Sequence, residues 1–140
     1  MEQKAVLERV LKASFRLYFQ AHSFHWNVRG KDFFALHSFF EEMYTNIWKS
    51  TDDIAERIRV LGFDAPKTIA EMADNDDIAD VTEVPSAEKM LDIFAKNLDT
   101  IISILEDGAE KSDESNSGFL TELGDGYRKT RWMLKSTLQK

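Results

Sequence analysis

Five side chains between residues 25 and 56 are of types that bind divalent transition metals. They are two histidines and three acids: His25, His37, Glu41, Asp52 and Glu56. Imidazole and carboxylate ligands without sulfur suit iron(II), manganese or zinc. A small number of protein ligands for each ion leaves positions open for peroxide or dioxygen. We therefore predict an iron site, at which zinc or manganese could also bind.

The spacing of these residues prevents one chain from closing the site. His37 and Asp52 lie fifteen positions apart on what the sequence predicts to be one helix. That separation corresponds to about 22 Å of axial rise. The two residues cannot bind the same ion unless a second chain takes part.

Antiparallel pairing of two copies of this helix resolves the difficulty. If a twofold axis passes near residue 46, residue n of one copy faces residue 93 − n of the other. His37 then lies opposite Glu56, and Glu41 lies opposite Asp52. Both pairs have the same sum of residue numbers, as a self-complementary interface requires. The pattern predicts two identical metal sites, each built from both subunits.

The histidines also have an ordinary structural interpretation, because a single histidine on an amphipathic helix usually completes the packing. Here, however, His22, His25 and His37 fall within sixteen residues, around one predicted turn. His25 shortly precedes that turn and His37 shortly follows it. An antiparallel hairpin can therefore bring both imidazoles to similar heights.

The acids could equally form a solvated face, assisted by Arg57 and Arg59. Asp52 and Glu56 are four residues apart, so their carboxylates project from the same side of a helix. The twofold pairing places that side at the predicted site, where a buried carboxylate must be paired or coordinated. Asp53 is expected to point elsewhere.

Two tryptophans lie beside the predicted site. Trp26 directly follows His25, and Trp48 falls on the same helix face as His37 and Asp52. Both could be packing residues. Alternatively, an oxidisable indole beside iron could intercept electrons or radicals, and we predict this relay function for Trp26.

The apolar pattern predicts an all-α chain, because hydrophobic residues recur with the helical period and only two prolines interrupt them. The first helix is expected from about residue 2 to 27 and the second from 32 to 61. A short helix is expected around 67–73. Two further long helices follow, one beginning after Ser86 and one containing Leu120 to Leu138.

Residues that commonly end or cap helices occur at the predicted helix boundaries. Gly30 gives permissive backbone in the turn after the first helix, and Gly62 ends the second. Asp32 and Ser86 are expected as N-cap residues. A polar segment at 110–117 is expected to separate the last two helices.

Two features indicate how the helices pack. The connection at 62–85 is long, so the chain is expected to cross from one end of the bundle to the other, leaving the second and third long helices parallel. Gly124 and Gly126 fall within the last helix, where close backbone packing or a bend is expected.

Composition limits the function classes. The 140 residues, 43% hydrophobic, predict one domain spanning 1–140. The chain has no cysteine, which excludes thiol catalysis and iron–sulfur ligation and suits a reducing compartment. No apolar run is long enough to cross a membrane, and we expect a cytoplasmic protein. The formal net charge of −7 repels nucleic acid and attracts cations.

Four segments form a specific pattern: HSFHWNVRG at 22–30, FFALH at 33–37, DDIAER at 52–57 and WML at 132–134. With these segments the chain resembles the Dps proteins, the DNA-binding proteins from starved cells, over nearly its whole length. The resemblance implies a ferritin-like four-helix bundle with a short helix in the long second connection. It also implies a hollow dodecamer that oxidises iron(II), preferably with hydrogen peroxide, and stores the iron(III) mineral.

The same resemblance assigns the ligands to subunits. His25, His37 and Glu41 would come from one subunit, and Asp52 and Glu56 from its twofold mate. Glu41 stands at a position that is often aspartate in the family, which keeps the ligand type.

Two departures from the family pattern concern DNA and the pore. DNA-binding members often have a flexible lysine-rich tail, whereas this chain offers Lys4 near its start and Lys135 and Lys140 near its end. Direct DNA binding is therefore not expected. Gly118 stands where the family has a pore acid, for which other acids could substitute: Glu114, Glu122 or Asp125.

Three functions are compatible with these observations. The leading hypothesis is an iron-oxidising storage enzyme, a ferroxidase that protects against oxidative damage. The second is a DNA-compacting structural protein of the same family with an incidental metal site. The third is an iron-free bundle that binds a protein partner.

Overall fold

The structure, a computed structural model, describes residues 2–139 and consists of five helices over that range. They are α1 (Glu2–Asn27), α2 (Phe33–Val60), α3 (Ile69–Ala73), α4 (Ala87–Glu110) and α5 (Glu114–Thr137). No strand occurs in this part of the chain. The predicted all-α architecture, with four long helices and a short helix in the long connection, is confirmed. None of the helices in residues 2–139 combines the length and apolar character that a membrane span needs.

Contacts along α1 establish the directions of the other long helices. Near its start, Lys4 lies over the ring of Phe63, just beyond the end of α2. Further along, the Gln20 side chain accepts a 2.7 Å hydrogen bond from Asn97, in the first half of α4. α2 and α4 therefore both run antiparallel to α1. They are parallel to each other, as the long connection predicted.

The core lies between the four long helices. On α4 the whole predicted stripe is buried: Met90, Phe94, Leu98, Ile101 and Leu105. On α2 most of the predicted core face is also buried: Phe40, Met43, Ile47, Ile54 and Ile58. Burial of these side chains from water is the main stabilising term of the bundle. Because α2 turns this face inward, its predicted ligand face lies on the outside.

The long connection between α2 and α4, residues 62–85, is attached to α1 by two arginines. Arg16 donates hydrogen bonds to the carbonyl oxygens of Ala73 at 2.8 Å and Ile78 at 3.1 Å. Arg9 donates two hydrogen bonds to the carboxylate of Asp77, at 2.9 and 3.0 Å. These hydrogen bonds lower the pKa of Asp77. The crossing segment is thereby fixed along the side of the bundle.

The residues predicted to begin and end the helices occupy the expected positions. Gly30 and Gly62 have φ of +115° and +94°, values that glycine adopts without strain. Ser86 caps α4 by accepting a 3.1 Å hydrogen bond from the amide of Lys89. Asp32 is the N-cap residue of α2, as predicted, although its carboxylate makes no capping hydrogen bond.

Two predicted boundaries were also displaced. The break between α4 and α5 is shorter than 110–117, because Asp113 caps α5 by accepting a 2.9 Å hydrogen bond from the amide of Asn116. This cap lets the helix start within the polar segment. The short helix α3 begins at Ile69, after an N-cap at Thr68.

The close helix approach occurs at Gly108 rather than in α5. A Cβ atom at Gly108 would lie 2.7 Å from Cγ1 of Val6, so the absence of a side chain lets α1 and α4 pack closely with Val6 in its present position. At Gly124 the nearest atom is the Arg128 guanidinium of the same helix, and at Gly126 no atom lies within 4 Å. Close packing against another helix of the chain is therefore not found at these two glycines.

Candidate metal centre

The turn between α1 and α2 brings two of the predicted ligands into contact. His25 lies in the last turn of α1 and His37 in the second turn of α2. Their imidazole rings stack with centroids 3.7 Å apart and an angle of 18° between planes. The predicted similarity in height is confirmed.

Each of these imidazoles is oriented by the backbone of the other residue. His25 Nδ1 lies 2.7 Å from the carbonyl oxygen of His37, and His37 Nδ1 lies 2.7 Å from the carbonyl oxygen of His25. A carbonyl can only accept a hydrogen bond, so both Nδ1 atoms carry the proton. In the neutral rings the lone pair is then on Nε2. This is the arrangement in which a histidine is held for metal coordination.

Glu41 adds a carboxylate one turn further along α2. One ligand atom from each of His25, His37 and Glu41 lies within 4.8 Å of the others. His25 is buried, His37 is half-buried and Glu41 is exposed. The group is therefore packed into the hairpin at His25 and open to solvent at Glu41. Two histidines and one carboxylate with open positions are a donor set typical of non-haem iron(II).

The remaining predicted ligands form a second group on α2. Asp52 and Glu56 lie together, but Asp53 lies with them, all three offering ligand atoms within 4.8 Å. The prediction that Asp53 points elsewhere was wrong, since the three exposed side chains can converge. Because α2 is continuous, this group lies about 22 Å along the axis from His37. No cluster within residues 2–139 combines the two groups.

The alternative of a solvated acidic face agrees with the exposure of these acids in the single chain, but the two arginines do not assist it. Arg57 donates to Asn116 at 2.8 Å and lies over the Phe119 ring. Arg59 pairs with Asp64 at 2.9 Å. Neither arginine therefore neutralises Asp52 or Glu56.

Aromatic rings surround the histidine pair. His22 stacks on Tyr44, with centroids 3.9 Å apart, and also contacts Trp26 at 4.2 Å. Tyr18 contacts Trp48 at 5.0 Å. Both tryptophans are more than half exposed, at 57% and 55%. The Trp26 ring therefore contacts the His22 ring, and the His22 ring in turn lies 6.0 Å from that of the candidate ligand His25.

His22 and Tyr18 lie beside the candidate ligands, in an arrangement that was not predicted from the sequence. The Tyr18 hydroxyl lies 2.9 Å from Nδ1 of His22. Burial, and to a smaller extent the proximity of His25, lowers the pKa of His22. The four-residue spacing of Tyr18, His22 and Trp26 places them on one helix face and could have indicated this cluster.

The fold and the donor set together define a four-helix bundle with a candidate histidine–carboxylate metal centre, and comparison with known proteins agrees. Residues 4–140 match the family model of the ferritin-like domain. The "DNA protection during starvation protein 2" of Bacillus anthracis is 33% identical over 126 residues, covering 87% of this chain and 86% of that protein.

Solved structures give the same result. The crystal structure of Dps from Staphylococcus aureus has a TM-score of 0.92 and 28% identity, covering 97% of this chain and 94% of that chain. Dps from Vibrio cholerae O1, presented as a member of a broad superfamily of ferritin-like diiron-carboxylate proteins, has a TM-score of 0.91 and 25% identity, covering 97% and 88%. The chain belongs to the Dps family of ferritin-like proteins.

Proposed function

We propose that this protein is a ferroxidase that oxidises iron(II), preferably with hydrogen peroxide, and stores the iron(III) product inside a hollow dodecamer. The observation that carries the proposal is the convergence of His25, His37 and Glu41, with both imidazoles oriented by the backbone. This group is half of an iron site. The other half is the pair Asp52 and Glu56 of a second subunit.

The outer surface of α2 supports a shared site. Six residues on this surface, which we call the site face, are half-buried or exposed in the single chain: His37, Glu41, Tyr44, Trp48, Asp52 and Glu56. Pairing of two site faces about a twofold axis near residue 46 would cover the exposed Trp48. It would also bring the acids of each subunit to the histidines of the other.

The residues would have distinct tasks. Nε2 of His25 and of His37 would bind iron as neutral donors. Glu41, with Asp52 and Glu56 of the partner subunit, would supply negative charge. Because oxidation raises the charge of the ion, these anions favour the iron(III) state over iron(II). Zinc or manganese could occupy the same donors. Trp26 would intercept electrons or radicals near the site.

Storage and protection follow from the assembly. Twelve acidic subunits would concentrate iron(II) near the shell. Of the acids that could line an entry pore, Asp125 pairs with Arg128 at 3.0 Å, which leaves Glu114 and Glu122 as the better candidates. We place the protein in the cytoplasm, where a chain without cysteine meets no redox constraint.

The test is peroxide-driven iron(II) oxidation by the wild type and by two variants, His25→Ala and Asp52→Ala. Both variants should oxidise iron much more slowly than the wild type. Glu42→Gln is the matched control, because Glu42 is an exposed α2 acid outside both ligand groups. Equal rates in the wild type and both ligand variants would refute the assignment.

Mixing the two variants tests the sharing of the site. If His25 and Asp52 of one site come from different subunits, a His25→Ala subunit paired with an Asp52→Ala subunit contains one intact site and one doubly altered site. Random pairing of equal amounts would restore about one quarter of the wild-type sites. A mixture as inactive as its components would contradict the intersubunit site.

A further inference from the structure

A groove runs between α2 and α5, on the side of α2 away from the candidate metal centre. Its volume is about 390 Å³, within the range of about 300–1,000 Å³ that small-molecule sites typically have. The helix pairs α1–α2 and α4–α5 pack closely along their lengths, whereas α2 and α5 approach each other at few positions. The groove is a consequence of this wider separation.

Much of the groove surface is apolar. Its lining includes three buried and two half-buried hydrophobic residues: Met43, Ile47, Tyr127, Leu123 and Phe119. Gly126 adds no side chain to the α5 wall, and a Cβ atom there would have no atom within 4 Å. An apolar group that enters the groove is therefore removed from water, which stabilises its binding.

Two contacts across the groove define how α2 and α5 face each other. Arg57 of α2 donates a 2.8 Å hydrogen bond to the Asn116 side chain of α5. About two turns nearer the start of α2, Ser50 lies beside the hydroxyl of Tyr127, further along α5. The helices are therefore antiparallel, and residues between these two contacts face each other across the groove.

The lining residues in this interval include two acids, Asp53 on α2 and Glu122 on α5. Both side chains are exposed, and neither forms an ion pair with another of the described residues. Asp125, by contrast, points away from the groove and pairs with Arg128 at 3.0 Å. Two carboxylates on facing helices repel each other, and a cation between them replaces this repulsion by attraction.

The charge is confined to one end of the groove. There the ring of Phe119 already accommodates one cation, because the Arg57 guanidinium lies over it at 4.1 Å. The two carboxylates outnumber this single positive charge. The polar residues further along the lining are uncharged, namely Asn46, Ser50 and Thr130. The groove therefore favours a ligand with one charged head and an apolar body.

Pairing of two site faces would leave this groove open. At about 100° per residue, side chains two positions apart on a helix point about 160° apart. Ser50 therefore lies nearly opposite both Trp48 and Asp52 on α2. Asn46 lies nearly opposite both Tyr44 and Trp48. A partner subunit seated on the site face covers the other side of the helix.

We propose that the groove between α2 and α5 binds a small hydrophobic cation, namely an organic ammonium ion. The ammonium head lies between Asp53 and Glu122 and donates charge-assisted hydrogen bonds to both carboxylates. The Phe119 ring adds a cation–π attraction. The apolar body of the ligand lies against Ile47 and Leu123. This inference is independent of iron oxidation, because none of these residues is a proposed iron ligand.

The first test is a titration of the metal-free full-length protein with 2-phenylethylammonium, followed by NMR of labelled methyl groups. The signals of Met43, Ile47 and Leu123 should shift, and that of Ile78, outside the groove lining, should not. The neutral analogue 2-phenylethanol should bind about tenfold more weakly or worse, because it lacks the charge. Ethylammonium should also bind more weakly, because it lacks the apolar ring. Equal affinities for the ammonium ion and the alcohol would overturn the proposal.

The second test removes the two charges. Asp53→Asn/Glu122→Gln should weaken binding of 2-phenylethylammonium by about tenfold or more and leave that of 2-phenylethanol unchanged. Glu42→Gln/Asp125→Asn is the matched control, because it removes the same charge from the same two helices outside the groove lining. Equal losses in the two double variants would reduce the effect to general electrostatics and contradict the assigned head site.

The third test fills the groove. Gly126→Leu places a side chain in the open space of the groove and should abolish binding of both the ammonium ion and the alcohol. Gly118→Leu, at the other α5 glycine with no atom within 4 Å but outside the lining, should leave binding unchanged. Undiminished binding in Gly126→Leu would place the ligand elsewhere. If magnesium chloride shifts the same methyl signals and 2-phenylethylammonium does not, the acids form a divalent-ion site and the proposal is wrong.

Discussion

His25 and His37 exchange hydrogen bonds, each imidazole donating from Nδ1 to the backbone carbonyl of the other at 2.7 Å. The two residues lie on different helices, so these bonds also hold the end of α1 against the start of α2. The same hydrogen bonds stabilise the hairpin and leave the Nε2 atoms of both imidazoles available to a metal. Part of the candidate site is therefore formed before any metal binds.

The tautomers of the histidines give the first prediction. In the metal-free protein we expect His25 and His37 to carry their proton on Nδ1, because each Nδ1 faces a carbonyl. For His22 we expect the proton on Nε2, so that Nδ1 accepts a hydrogen bond from the Tyr18 hydroxyl 2.9 Å away. Long-range proton–nitrogen correlation spectra of the neutral imidazoles distinguish the two forms. Three identical spectral patterns would contradict this assignment.

Removal of the Glu41 charge gives the second prediction. Glu41→Gln keeps the size of the side chain but weakens a metal ligand, so iron(II) affinity should fall by about tenfold or more. Titration with iron(II) under anaerobic conditions measures the change. Glu42→Gln removes the same charge one residue away and should leave the affinity within about twofold of the wild type. Equal losses in both variants would indicate a general charge effect in place of ligation.

Much of this arrangement could be predicted because it depends on sequence periodicity. The five candidate ligands, the hairpin and the parallel course of α2 and α4 all follow from spacing, with turns at Gly30 and Gly62. The reciprocal hydrogen bonds could not be predicted, because side-chain rotamers depend on the packed hairpin. The convergence of Asp53 with Asp52 and Glu56 was missed for the same reason, since exposed carboxylates can rotate towards one another.

Helix ends and packing were less predictable, because they depend on competition between local partners. Asp113 accepts a hydrogen bond from the amide of Asn116 and starts α5 early, whereas Asp32 occupies the N-cap position of α2 without a side-chain hydrogen bond. Gly108 looks like any helical glycine in the sequence. Its importance comes from Val6, which is more than one hundred residues away and meets it only in the folded bundle.

Gly108 gives the third prediction. Gly108→Ala places a Cβ atom 2.7 Å from Val6 and 3.4 Å from Leu120, so either the Val6 side chain or the two helices must shift. We expect a loss of about 1–3 kcal/mol in the free energy of unfolding. Gly126→Ala is the matched control in α5. It has free space within 4 Å and should be stabilising by about 0.5–1 kcal/mol. Urea unfolding of both variants measures the difference, and a stabilising Gly108→Ala would contradict the described packing.

The pair of Arg9 and Asp77 gives the fourth prediction. The hydrogen bonds from Arg9 lower the pKa of Asp77 in the folded state. Its contribution is therefore fully present above the unfolded pKa of about 3.9 and is lost as pH falls through the lower folded value. Asp77→Asn should cost about 0.5–1 kcal/mol at pH 7, because Arg9 is half exposed. Thermal unfolding across pH should show the two proteins converging below pH ~4; a constant difference would contradict the pairing.

The lysines near the chain ends give the last prediction, which concerns DNA. Lys4 lies in α1, 3.8 Å from Glu8 and over the Phe63 ring, and Lys135 lies in α5, 3.9 Å from Asp99. Neither forms a free basic arm, and the formal net charge of the chain is −7. We expect no gel shift of duplex DNA at about 0.15 M salt, and only weak, salt-sensitive binding at lower ionic strength.

Asp99→Asn, which frees Lys135 and removes one negative charge, should increase any such binding. Tight binding by the wild type at moderate salt would favour the DNA-compacting alternative, since it would reveal a basic surface on the assembled protein.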